Sequence, residues 1–309
     1  MIVANPSRKR VVTLKSIAWV TDSTSTIDSE FAMNNHIYIV PLRLIINNEC
    51  YKENIDITAD QFYDKMRQND KVSSSQPPIG EFVELYERLK EDYDEIIAIH
   101  CSSELSGTFH TSMQAADIAG VTVIGIDSKV GAYPIREMIV RGVHWQQAGC
   151  SALEIKSRID NIIEEMSFYL IPASLSQLHR SGRLSGSQLL LGQLMRIHLL
   201  LKFDKGKIVV VDKIRTFKKT KQKLLETLVQ DIQLIQDICI MHANNMEEAL
   251  SLEAVIKEMS PSVRTEIMTF VPVVGVHMGE GTLALSWINN TPINSLTVQD
   301  KVLEPVLQG

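Results

Sequence analysis

The stretch Glu95–Ala116, EIIAIHCSSELSGTFHTSMQAA, restricts the fold of this chain more than any other. Ile96–His100 is a short apolar run rich in β-branched residues, which suits a buried strand. From Thr108 the pattern turns helical, with Met113, Ala115 and Ala116 available for an inner face. Between them Ser102, Ser103, Glu104, Leu105, Ser106 and Gly107 form a hydroxyl-rich turn. A strand that passes through such a turn into a helix offers unpaired backbone N–H groups and the positive end of the helix dipole, which suits an anion. Gly107 admits close approach to the backbone, and Ser106 and Thr108 add hydroxyl donors. A plainer role for Ser106 is to cap the helix.

The same alternation recurs through the first half. Ser16–Val20 reads as a strand that ends at Thr21, Asp22, Ser23 and Thr24, at the carboxyl end where open α/β sheets bind ligands. Ser25 with Asp28 fits a capping box for a short helix through Met33. Ile37–Val40 and Leu42–Ile46 read as extended, and Ala59–Arg67 as a helix. Ser73–Pro78 reads as a loop, because its two prolines bar a helix. Gly80–Lys90 is an amphipathic helix, Val121–Ile126 a strand, and Tyr133–Gln147 and Ala152–Met166 are helices. Strands alternating with helices imply a parallel sheet layered by helices.

After about Glu165 the pattern changes. Phe168–Ile171 is a strand and Ser174–His179 a short helix. Ser187–Met195 is apolar and helix-like. Ile197–Phe203 and Lys207–Val211 flank Asp204-Lys205-Gly206 as a hairpin. Thr220–Gln236 and Met246–Met259 are helices, and Ile238–Met241, Thr265–Phe270 and Leu283–Ile288 strands. This half needs a mixed sheet. The expected architecture is α/β with two domains: an α/β/α domain with a parallel sheet over 16–165, then a smaller mixed-sheet α/β domain over 166–290. An N-terminal extension (1–15) and a C-terminal tail (291–309) flank them.

Charge and cysteine usage exclude several function classes. The net charge is −6, with both signs interspersed, so the chain has no electrostatic footprint for nucleic acid. Cys50, Cys101, Cys150 and Cys239 stand far apart, in neither metal nor disulfide-scaffold spacing. No apolar run reaches the roughly 18 residues that span a membrane, and the N-terminus lacks the long apolar segment of a signal peptide. A cytoplasmic protein is expected, with no cofactor and no metal.

Catalytic sets are sparse. Ser106, His277 and Asp22 could assemble a nucleophilic triad, but the Gly-x-Ser-x-Gly elbow is absent. So are the P-loop and the dinucleotide glycine fingerprint, and the glycines of GVHMGEG around His277 do not open a helix after a strand. Five turns remain: TDST, SSSQPP, SSELSGT, HRSGRLSG and GVHMGEG. Together they supply hydrogen-bond donors without a strong base, a metal or a cofactor loop, which suits holding a small anionic head group.

These turns and their neighbours resemble the DegV family of bacterial fatty-acid-binding proteins. The matching pieces run in family order: VTDSTS (Val20–Ser25), IVPLRL (Ile39–Leu44), IDITADQFYDKM (Ile55–Met66), SSQPP (Ser74–Pro78), SSELSGTFHTS (Ser102–Ser112), LSQLHRSGRLS (Leu175–Ser185), VDKIRTFKK (Val211–Lys219) and GVHMGEGTLAL (Gly275–Leu285). The resemblance implies one long-chain fatty acid held between two domains, its carboxylate near the junction. It also implies a partner, a separate ATP-using kinase subunit that phosphorylates that carboxylate for phospholipid synthesis. Carried over residue by residue, the carboxylate contacts are Ser74, Ser106, Gly107, Thr108, His277 and Gly279. Asp22, Ser23 and Arg183 fall at the head group or junction, and Arg215, with Lys218 and Lys219, at the partner-docking surface.

This chain departs from the family pattern in three places. Pro78 replaces a usual serine, Arg196-Ile197-His198-Leu199 stands where many relatives carry Lys-Pro, and Glu280 replaces a usual proline, placing a carboxylate near the head group. The apolar segments Leu189–Met195 and Ile197–Leu201 are the expected walls of the tail pocket. Two other classes stay open: a lipid-sensing regulatory module without a kinase, and a serine hydrolase acting on acyl esters through Ser106 and His277.

Overall fold

The structure is a computed structural model that describes residues 16–68, 71–184 and 197–289. The first half runs β1 (Ile17–Asp22), α1 (Ser29–Asn34), β2 (Ile37–Val40), β3 (Arg43–Ile46), β4 (Glu49–Lys52), α2 (Ala59–Arg67), β5 (Val72–Ser75) and α3 (Ile79–Asp92). It continues with β6 (Glu95–His100), α4 (Thr108–Ala119), β7 (Val123–Asp127), α5 (Tyr133–Gln147) and α6 (Ala152–Glu165). The second half runs β8 (Met166–Ile171), α7 (Leu175–Ser181), β9 (His198–Asp204), β10 (Lys207–Ile214), α8 (Phe217–Asp231) and β11 (Asp237–His242). It closes with α9 (Met246–Met259), β12 (Arg264–Thr269), α10 (Pro272–Met278) and β13 (Leu283–Ile288).

The first half forms the expected parallel sheet, in order β2-β1-β6-β7, with every pair parallel. All six residues of β1 are buried, because helices cover both faces of a central parallel strand. Period-two alternation divides its side chains. Ile17 and Trp19 enter the large core shared with the second half, whereas Ala18 and Val20 pack toward Phe82, Leu85 and Ala115 of α3 and α4. Trp19 also packs against α5 at Gly142, where a Cβ would stand 2.3 Å from the indole ring. The second half forms the expected mixed sheet, in order β10-β9-β8-β13-β11-β12, with only β11 and β12 parallel. Leu224, Leu228, Leu252 and Ile256 of α8 and α9 cover its outer face. Its inner face, through Phe168, Leu199 and Leu201, joins the same core as Trp19 and Ile97.

Several local expectations are corrected. Ser73–Ser75, expected in a loop, belong to β5 and pair antiparallel with β3 in a third sheet of order β4-β3-β5. The small polar residues lack strand propensity of their own, and the partner strand supplies the ladder. Asp28, rather than Ser25, caps α1, its carboxylate accepting from the N–H groups of Glu30 and Phe31. His277, expected in a glycine-rich turn, lies in the last turn of α10, and Gly279 closes that helix with φ +88°. α8 begins at Phe217, so Lys218 and Lys219 occupy its first turn. The Ser187–Met195 segment, the extension and the tail lie outside the described residues.

Candidate functional site

The carboxyl ends of β1, β6 and β7 face the inner side of the mixed sheet across a cavity of about 640 Å³. Its walls divide by chemistry. One end carries Ser74, Gln76, Ser106, Gly107, Arg183 and His277. The body is mostly apolar, with Val130 and Ala132 after β7, Phe168 and Leu170 of β8, Phe203 of β9 and Phe270 with Val273 at α10, and Thr24, Ser103, Glu104 and Thr282 also border the cavity. β5 reaches the polar end because its pairing sets Ser74 opposite Leu44. α10 reaches it because Gly275 lets the helix approach Tyr63, where a Cβ would meet the ring at 2.7 Å.

At the polar end, Ser74 Oγ lies 2.8 Å from His277 Nε2. The other ring nitrogen, Nδ1, is buried without a hydrogen-bond partner among the described residues. Burial, and then the positive charge of Arg183, push the His277 pKa down to about 4, so the imidazole is neutral at neutral pH. A neutral ring with one unengaged nitrogen suits hydrogen bonding to a bound oxygen. Arg183 is fixed by backbone carbonyls, its Nε donating to Leu105 O at 3.3 Å and Nη1 to Ser181 O. It thereby clamps the hydroxyl turn after β6 to the end of α7. Within that turn Ser106 Oγ is 2.8 Å from Thr108 Oγ1 and accepts from the Thr108 N–H at 3.3 Å. Gly107 is the N-cap of α4 and makes no side-chain cap. Its Cβ position is taken by the Gln76 amide, whose Nε2 donates to Thr111 Oγ1.

The structure thus brings Ser74, Ser106, Gly107, Arg183 and His277 to one cavity end. Thr108 and Gly279 support that end without lining the cavity. Asp22 and Ser23 lie one layer beneath it, and the adjacent Thr24 lines the cavity instead. The Asp22 carboxylate accepts from Thr24 N and Thr24 Oγ1, from the Cys101 N–H at 2.9 Å, and lies 3.2 Å from His100 Nδ1. Burial alone raises its pKa, but the His100 hydrogen bond and charge, with Thr24 and Cys101, hold it below the usual carboxylate range. His100 Nε2 in turn contacts Ser112 Oγ at 2.8 Å. This Asp22–His100–Ser112 line has the order of a nucleophilic triad, yet all three side chains are fully buried and none lines the cavity. The Ser106–His277–Asp22 triad is not assembled, since Asp22 turns to His100 and His277 to Ser74.

Beneath α10, Glu53 is buried and accepts from Ser23 Oγ at 2.5 Å and from the Val273 N–H at 2.6 Å. Burial raises its pKa more than these hydrogen bonds lower it, and the nearby Asp22 charge adds to the rise, to about 7. Glu280 turns away from the cavity, its carboxylate engaged by Arg67 and Asn244. Arg215 is exposed in the bend between β10 and α8, and Lys218 and Lys219 are exposed beside it.

The tail-pocket expectation is corrected. Leu199, Leu200 and Leu201 are fully buried core residues of β9 that do not line the cavity, and Leu189–Met195 lies outside the described residues. Phe203, further along the same strand, does line it, with Phe168 of β8 and Phe270 between β12 and α10. Gln76, Cys101 and these three phenylalanines are cavity residues beyond those assigned to the site by the sequence. Only Gln76, inside a family motif, carried a signal there. Among the described residues no group of three His, Cys, Asp or Glu could hold a metal ion, and no helix is long and apolar enough to cross a membrane.

A family model described as an uncharacterised protein of the DegV family matches residues 16–290. A DegV domain-containing protein of Halalkalibacterium halodurans is 33% identical over 279 residues, covering 89% of this chain and 99% of that protein. A crystal structure of DegV from Bacillus subtilis, described as a fatty acid binding protein, superposes with a TM-score of 0.82 at 33% identity, over 89% of this chain and 99% of that one. A fatty acid binding DegV family protein from Streptococcus agalactiae gives 0.83 at 26% identity, with the same shares covered.

Proposed function

We propose, from the premise that this chain belongs to the DegV family, that it holds one long-chain fatty acid between its two large sheets and presents the carboxylate to a separate ATP-using kinase subunit. The observation that carries this reading is the division of a single cavity into an apolar body and one donor-rich end. Each methylene transferred from water to such a body contributes about 0.8 kcal/mol, so a long acyl chain gains on the order of 10 kcal/mol gross. Immobilisation takes back several kcal/mol of this. The tail thus supplies affinity, while Ser74, Ser106, the Gly107 backbone and His277 orient the head group. A carboxylate left there without donors would be expensive to bury. The description of the Bacillus subtilis relative as a fatty acid binding protein supports the same ligand class.

The division of the chain near residue 165 belongs to this reading, with the head-group turn on the first domain and most of the tail wall on the second. So does a docking role for Arg215, Lys218 and Lys219, which are exposed at the edge of the mixed sheet. The test is native mass spectrometry of the purified protein, followed by denaturing extraction and reloading of the delipidated chain. One fatty acid per chain is expected. A delipidated sample with no saturable binding of any fatty acid of about 14–18 carbons, the lengths that the resemblance to fatty-acid-binding DegV proteins implies, refutes the reading. Lipid that binds but is phosphorylated by no kinase subunit makes the chain a lipid sensor instead.

A further inference from the structure

The Ser74–His277 pair is a partition between two cavities. Inward lies the apolar one. Outward lies a second, of about 620 Å³, whose wall also includes Lys71, Ser73, Gln177, Arg180 and Arg183. Three cations face this outer space, and no Asp or Glu is among the described residues that line it. A fatty carboxylate carries one negative charge and sits at the partition, against the donors named above. Lys71 and Arg180 border the outer cavity alone and Arg183 borders both, and together these three cations exceed what one carboxylate can neutralise. They match a phosphoryl group, which carries nearly two negative charges and three acceptor oxygens near neutral pH.

We propose that the outer cavity receives the phosphoryl group of the acyl phosphate formed on the bound fatty acid, with Lys71 and Arg180 as its cationic contacts. The inference rests on the reading above, that a fatty acid fills the inner cavity and is phosphorylated there. A carboxylate oxygen attacks the terminal phosphorus of a nucleoside triphosphate brought by the partner. The new O–P bond forms as the bond to the diphosphate breaks, and the diphosphate leaves with the electron pair, so no proton moves. The acyl chain stays inside while the added charge lies outside, past Ser74 and His277. Arg180 matches a phosphoryl edge with two parallel N–H groups, and Lys71 supplies a point charge. The two residues therefore distinguish product from substrate, because the bare carboxylate does not reach them.

The test titrates three probes into wild type and into a Lys71→Met, Arg180→Met double variant. They are hexadecanoate, inorganic phosphate and 2-oxoheptadecylphosphonate, in which a methylene replaces the bridging oxygen of the acyl phosphate. Both residues are exposed, so the substitutions leave packing in place, and retained hexadecanoate affinity is the folding control. The double variant is expected to lose at least about tenfold in phosphonate affinity, the scale of a charged hydrogen bond, and less than about twofold for hexadecanoate. Wild type is expected to bind the phosphonate far more tightly than inorganic phosphate. Equal changes for phosphonate and hexadecanoate, or none for either, overturn the assignment. Inorganic phosphate bound as tightly as the phosphonate overturns the acyl-borne source. Failure of wild type to bind hexadecanoate overturns the fatty-acid reading itself, and that result comes before any variant is made.

Discussion

Glu53→Gln tests whether the helix that carries His277 rests on a buried protonated carboxyl. Glu53 is 1% exposed and meets α10 at the Val273 N–H. Its pKa is raised from an ordinary 4.5 to about 7 in the folded chain. Between those values the folded protein binds one proton more than the unfolded chain, so wild-type stability falls as pH rises through this window. A span of about 2.5 pH units at about 1.4 kcal/mol each gives a loss of about 3 kcal/mol by pH 8. Glutamine titrates in neither state. Its carbonyl replaces the acceptor for Val273, while the Ser23 hydroxyl loses its acceptor, a pH-independent penalty of about 1 kcal/mol. His277 works in the opposite sense. Its pKa is lowered from 6.5 to about 4, so the unfolded chain binds the extra proton and stability rises with pH across that interval. Its magnitude is smaller than the same arithmetic gives, because the ring is only partly buried. The two slopes oppose each other, and wild type alone shows a shallow profile between about pH 4.5 and 6.5. The assay is urea unfolding of wild type, Glu53→Gln and His277→Asn from pH 4.5 to 8. Wild type minus Glu53→Gln is expected to fall by about 3 kcal/mol, and wild type minus His277→Asn to rise. A Glu53 difference flat to within about 0.5 kcal/mol, or one of opposite sign, would refute the reasoning.

Ser74→Ala and Ser106→Ala are each expected to weaken fatty-acid binding by about 1.5–3 kcal/mol, the worth of a hydrogen bond to a charged group, in a titration with labelled ligand. Unchanged affinity in both places the carboxylate elsewhere. Gly142→Ala drives a Cβ against the buried Trp19 ring and is expected to lower stability by about 1–3 kcal/mol, read by thermal denaturation; an unchanged melting temperature means that α5 shifts freely. Arg215→Ala, at an exposed bend, is expected to leave fatty-acid affinity intact and to slow acyl-phosphate formation at limiting kinase subunit, more so at low salt. A wild-type rate in that assay removes the docking role.

Local pattern carried most of the elements. Tyr133–Gln147, Met246–Met259 and Leu283–Ile288 begin and end where their periodicity does, because a helix stripe or a buried strand is written in neighbouring residues. The hydroxyl turn after β6 was legible for the same reason, as was Ser106 at its helix-proximal end. The motif order further identified Ser74 and His277, although no local property joins residues 203 positions apart. Tertiary structure decided what those residues face. Ser73–Ser75 became a strand because β3 supplies the hydrogen bonds that their own propensity does not. Asp22 went to His100 rather than to His277, since the parallel register of β1 and β6 sets their carboxyl ends side by side. Glu280 was neutralised by Arg67, 213 residues earlier, and so left the head-group end free of its charge. The tail wall is the extreme case. Phe168, Phe203 and Phe270 read as ordinary core residues, and they line a cavity only because the two sheets meet without filling the space between them. Periodicity tells a side chain which way to turn, but whether it meets another side chain or a void depends on distant elements that no local window contains.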